Sequence, residues 1–168
     1  DAPTLVPLVR GGGQERGVRS GTLPVPLIVG FGRAAMIARA LLDQGEAARQ
    51  ADLAWRLFEE LTTLGGVHLN GPSHDRLPGN LHVSFEGTTS AALMSALRPI
   101  GVSAGSACSS GTGKPSHVLT AIGLDHDLAH AALRFGFGRS STIDDVTEVV
   151  TRLRAALPTL RRGYTSPG

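Results

Sequence analysis

Asn80-Leu81-His82-Val83-Ser84-Phe85 is the stretch on which the reading of the fold turns. Leu81, Val83 and Phe85 alternate with polar neighbours, the period-two pattern of a strand that buries one face. Working outward, Val67-His68-Leu69 predicts a strand before it and Leu133 to Phe137 a strand after it. Between and around them the period changes to that of helices. Ala47, Ala51, Ala54, Trp55, Phe58 and Leu61 lie on one helical face, and Gly65-Gly66 offers a C-terminal cap. A helix is expected over Ser90 to Leu97, ended by Pro99, and a short one over Pro115 to Ile122. Thr142 with Asp145 three residues on resembles a capping box, opening a last helix that is expected to run to Leu157. Strands and helices in this mixture predict an α+β domain with a small, mostly antiparallel sheet packed with helices.

The first 43 residues have another character. Arg10 leads into Gly11-Gly12-Gly13-Gln14-Glu15-Arg16-Gly17 and then Ser20-Gly21-Thr22, a glycine-rich loop whose backbone can approach another group closely. Pro24 and Pro26 suit a first helical turn, and Leu27, Ile28, Phe31, Ala35, Ala38 and Leu42 follow at helical spacing. No uninterrupted run of eighteen apolar residues occurs, and Asp1-Ala2-Pro3-Thr4 is neither a basic leader nor an initiator methionine. The chain is therefore expected to be cytoplasmic, without a membrane partner, and to begin mid-protein.

Composition narrows the function. Of 16 Lys and Arg residues only Lys114 is lysine, and the arginines are scattered apart from Arg161-Arg162. Aromatic residues make up 4% of the chain, so a nucleic-acid interface is not expected. Cys108 is the lone cysteine, which excludes an internal disulfide and a multi-cysteine metal site. It stands in Ser103-Ala104-Gly105-Ser106-Ala107-Cys108-Ser109-Ser110-Gly111-Thr112-Gly113-Lys114, among glycine and serine instead of the apolar neighbours of a packed thiol. That composition suits a loop presenting a nucleophile, whose pKa a nearby Lys114 would lower. An inert cysteine in a surface loop fits the composition equally well. His82, His117 and His130 have no second ligand at zinc spacing and read as ordinary polar residues, with His117 close enough to the cysteine loop to interact with the thiol.

Three ordered motifs, Gly11 to Thr22, Asn80 to Phe85, and Ser103 to Ser110 with Pro115-Ser116-His117-Val118-Leu119 behind it, resemble the cysteine desulfurases of the class-V aminotransferase superfamily, in the group with a long cysteine loop. Leu133-Arg134-Phe135-Gly136-Phe137-Gly138 is similar to that family's late arginine strand, and the resemblance spans essentially the whole chain. It implies a fold-type-I pyridoxal-phosphate enzyme, α/β overall. Residues 1–43 would be the end of the large cofactor-binding domain, with the glycine-rich loop and a linking helix, and residues 44–168 the small C-terminal domain with the cysteine loop.

The resemblance also implies roles. Cys108 would take sulfur from L-cysteine as a persulfide, with release of L-alanine, and pass it to an acceptor or scaffold protein for iron–sulfur cluster assembly or thio-modification. Arg134 would pair with the substrate carboxylate through its planar fork, where it would otherwise read as a surface arginine beside a strand. Thr22 would reach the cofactor phosphate across a homodimer interface, helped by backbone N–H groups at the start of the helix after Pro24; it reads equally as a helix cap. The family's Schiff-base lysine precedes the glycine motif, and none of the ten residues before Gly11 is lysine. The chain by itself is therefore expected to be inactive. A non-catalytic sulfur carrier or interaction domain, and a selenocysteine lyase, are the alternative readings.

Overall fold

The computed structural model describes residues 5–104 and 116–165; Cys108 and Lys114 lie outside them. The chain divides into two compact units, residues 1–44 and 45–168.

In the first unit the glycine motif folds into one 3-10 turn, Glu15–Gly17. Glu15 (φ 53°) and Arg16 (φ 58°) take the left-handed backbone there, a conformation that glycine adopts more readily. The Gly21 N–H donates to Gln14 Oε1 at 3.0 Å, closing the motif on itself. Helix α1, Val25–Asp43, follows, with prolines in its first turn and no buried residue. Its mean hydropathy is 1.6 and it is long and apolar enough, by length and composition alone, to cross a membrane. Arg33 and Arg39 interrupt its apolar surface.

The second unit builds a three-stranded antiparallel sheet from β1 (Val67–Leu69), β2 (Asn80–Phe85) and β3 (Ala132–Gly136), in the order β1-β2-β3. Register places Leu81 opposite Phe135, Val83 opposite Leu133 and Leu69, and Phe85 opposite Val67. Because side chains alternate along a strand, these residues share one face. Helices α2 (Glu46–Thr62), α3 (Ser90–Leu97) and α6 (Ile143–Arg162) cover that face with Leu57, Leu61, Leu93, Leu97, Val149 and Leu153 among others. Phe85, Leu61, Leu93 and Leu153 are fully buried, so the alternation seen in the sequence is the inner wall of the core.

The opposite face carries Asn80, His82, Ser84, Ala132 and Arg134. Helices α4 (His117–Ala121) and α5 (His126–His130) contribute Leu119 and Ala129 to a small second cluster with Ala132. Helix α5 was not expected from the sequence. Asp125 starts it, its carboxylate accepting from the N–H groups of Asp127 and Leu128.

One boundary differs from expectation. Thr142 and Asp145 do form the capping box, but α6 runs through Pro158 to Arg162. Proline forfeits one helical hydrogen bond. The last turn is held from outside, because Arg161 donates to the carbonyls of Glu86 (3.2 Å), Leu64 (3.1 Å) and Gly65 (2.6 Å).

Candidate active-site face of the sheet

His82 and Arg134 are directly opposite on neighbouring strands, so their side chains leave the same face of the sheet. Ser103 forms a bridge with Arg134: the Arg134 N–H donates to Ser103 O at 2.7 Å, and the Ser103 N–H to Arg134 O at 3.2 Å. Ser116 lines, with Arg134 and His82, a cavity of about 410 Å³. The described residues on both flanks of the 105–115 segment therefore meet at Arg134. Strand pairing on one side and the start of α4 on the other place them there.

The polar side chains of Asn70, Asn80, His82 and Arg134 line the cavity together with the apolar Val118, Leu119 and Ile122 and the charged Asp75 and Arg76. Beneath it, Asn70 and Ser84 hydrogen-bond side chain to side chain (Nδ2 to Oγ 2.9 Å, Oγ to Oδ1 3.2 Å), and Asn70 Nδ2 lies 3.3 Å from His82 Nδ1. Burial, and then the guanidinium groups of Arg134 and Arg76, push the His82 pKa down, so the imidazole is neutral at neutral pH. Arg134 itself is exposed and has no ion pair with another described residue. An exposed guanidinium on a rigid strand, at the rim of a cavity, is suited to a carboxylate.

Thr22 belongs to the first unit and is exposed, with no hydrogen bond from its hydroxyl to another described residue. Two expectations about its surroundings change. It is not a helix cap, since Pro24 occupies that position without a side-chain cap. Nor does the start of α1 offer a cradle of N–H groups: Pro24 and Pro26 have none, the Val25 N–H donates to Leu23 O, and those of Leu27 and Ile28 donate to Pro24 O. What remains for an anion is the Thr22 hydroxyl, with the Arg19 side chain nearby.

Sequence reasoning set His82 aside as an ordinary polar residue, and it did not single out Asn70, Asn80 or Arg76. Asn70 and His82 are separated by twelve positions and meet only through the β1–β2 register. The predicted Cys108 lies outside the described residues.

Solved structures that the chain resembles include one titled NifS-like protein, at 35% identity and a TM-score of 0.78, over 92% of this chain and 39% of that one. Another, a NifS-like protein from Rickettsia africae, matches at 25% identity with the same TM-score, over 92% of this chain and 41% of that one. A small antiparallel sheet with helices packed on it, in such company, defines the class as the fold-type-I pyridoxal-phosphate enzymes. The model of the aminotransferase class-V family matches residues 10–149, and the chain belongs to that family. Among curated relatives, it is 49% identical to the cysteine desulfurase IscS of Anaeromyxobacter sp. (strain Fw109-5) over 87% of this chain and 36% of that protein. It is 43% identical to the cysteine desulfurase IscS of Photobacterium profundum over 91% of this chain and 38% of that protein. The chain thus spans under two fifths of the length of these relatives.

Proposed function

We propose that the chain is the part of a pyridoxal-phosphate-dependent cysteine desulfurase that receives the sulfur. L-Cysteine gives its sulfur to Cys108 as a persulfide and leaves as L-alanine, and the persulfide passes to an acceptor or scaffold protein for iron–sulfur cluster assembly or thio-modification. The observation that carries this reading is that Ser103 and Ser116, on the two sides of the segment holding Cys108, both lie by Arg134, Ser103 paired with its backbone and Ser116 lining the same cavity. A substrate whose carboxylate is held at Arg134 is then close to the place from which that segment departs.

When bound, pyridoxal phosphate supplies the electron sink that loosens the bonds around the substrate's α-carbon. This chain's share in holding it is Thr22, whose exposed hydroxyl fits a phosphate oxygen, and in our reading it serves the site of the second subunit of a homodimer. The apolar surface of α1 suits contact with the remaining length of the protein. Sulfur relay needs a reduced thiol, which suits a cytoplasmic enzyme.

The test uses a longer form of the protein that includes the cofactor lysine. With L-cysteine it is expected to release L-alanine, and Cys108→Ala is expected to abolish the persulfide, seen as a gain of one sulfur in intact mass, while the cofactor absorbance persists. Persulfide on the Cys108→Ala protein would overturn the assignment. Loss of the absorbance in that variant would mean that Cys108 maintains the site instead of carrying sulfur.

A further inference from the structure

The His82 ring leaves one atom unexplained. Its Nδ1 faces the Asn70 amide nitrogen, a donor, at 3.3 Å, so Nδ1 accepts and the proton resides on Nε2. That Nε2–H is buried and has no partner among the described residues, and neither has Asn80 Oδ1 on the same strand. A buried donor without an acceptor is costly, and natural proteins keep few of them. Both residues line the cavity at whose rim Arg134 stands. The charge there is mixed but mainly positive: Arg134 and Arg76 against Asp75.

We propose that His82 is a second binding residue for the substrate carboxylate, its Nε2–H donating to one carboxylate oxygen while the Arg134 guanidinium holds the other. The inference rests on the role given to Arg134 above and adds a directional, uncharged donor to it. Asn70 fixes the tautomer that makes this possible, and burial, with the two guanidinium groups behind it, keeps the ring from taking a second proton. An acid-stable charge at position 82 would merely duplicate Arg134, whereas a neutral donor selects the plane in which the carboxylate lies. Val118 and Ile122 leave an apolar wall for the remainder of a small ligand.

Nuclear magnetic resonance of the imidazole nitrogens in this 168-residue chain tests the idea directly, with sodium propionate as the probe. The free chain should show His82 protonated on Nε2 and bare on Nδ1. Propionate should move the His82 ring and the Arg134 side-chain resonances together and saturably, and raise the His82 pKa, because a carboxylate at Nε2 favours the imidazolium. His82→Leu should weaken propionate about tenfold, the share of one hydrogen bond to a charged group. His82→Gln, which keeps a donor, should stay within about threefold and guards against a mere loss of folding, which thermal melting of both variants checks. Saturable movement of Arg134 with a silent His82, or unchanged affinity in a folded His82→Leu, overturns the inference and leaves the carboxylate role of Arg134 standing. Silence of both residues overturns the two together.

Discussion

Residues 45–168 contain every buried hydrophobic side chain among the described residues, from Leu53 to Leu157, whereas α1 in the first unit exposes Leu27 (71%), Phe31 (78%) and Met36 (65%). Both regions are apolar in sequence, and the difference is in what their periodicity allows. In α2 and α6 the apolar residues keep to one stripe and the other side is charged, so each helix has one face to bury and the sheet supplies the cover. In α1 apolar residues occur all round the helix, and no single neighbour of its own unit covers them. The second unit is therefore equipped to fold on its own contacts, while the first presents surface that gains by being covered.

The comparison is most severely tested by one substitution in each region. Phe85→Ala, at a fully buried position on the central strand, should cost about 3–5 kcal/mol in urea unfolding followed by circular dichroism. Phe31→Ala on α1 should change the same midpoint by less than about 0.5 kcal/mol. Equal losses would mean that α1 is part of the cooperative core and that the contrast is wrong.

Gly79→Ala probes the join between β2 and β3. A methyl group there would stand 2.7 Å from Phe137 O, while the Phe137 N–H donates to Gly79 O at 2.8 Å. Two backbones that close have nothing flexible to yield, so a loss of about 1–3 kcal/mol is expected. Alanine at Gly32 in α1 meets nothing within 4 Å and should raise helicity instead, by up to about 1 kcal/mol. Arg161→Met comes next, at about 1–2 kcal/mol, since it frees three carbonyls that water can reach in part. Its signature is early fraying of α6 beyond Pro158, measured by amide exchange.

These residues also show what could be read before the fold was known. The alternation at Leu81, Val83 and Phe85 and the Thr142–Asp145 box are short-range patterns, and both appear where the sequence put them. Helix α5 escaped because five residues are too few for a helical period, although Asp125 before Asp127 was a capping signal. The end of α6 was misread because the chemistry that rescues Pro158 comes from carbonyls about a hundred positions upstream, at Leu64 and Gly65. The site divides in the same way. Arg134 was named through its motif, but its companions Asn70, Arg76 and His82 become neighbours only when β1, β2 and β3 are in register.

The smallest effect expected is one of pH, at the start of the second unit. Glu46 accepts from Arg49 (Nε and Nη2, each 2.8 Å) and from Gln50 (2.8 Å). Those bonds, from Arg49 first and Gln50 second, lower its pKa from 4.5 to about 2. A carboxyl whose folded pKa lies below its unfolded one adds stability that is complete above the unfolded value and disappears as pH falls through the folded one. The contribution of Glu46 should thus be whole above about pH 5.5 and fade between 4.5 and about 2. Glu46→Gln should unfold at lower urea than the parent at neutral pH, and the two midpoints should converge on acidification. The Arg39–Asp43 pair of α1, with its side chains 80% and 62% exposed, supplies the contrast, because water competes for both partners and Asp43→Asn should leave the midpoint nearly unchanged. Arg49 also donates to Ser141 O (2.7 Å) and Gly138 O (3.0 Å), tying α2 to the turn before α6. If the Glu46→Gln midpoint tracks the parent in parallel down to acid pH, the carboxylate matters only for aiming Arg49 at those carbonyls, and its charge contributes nothing to the join.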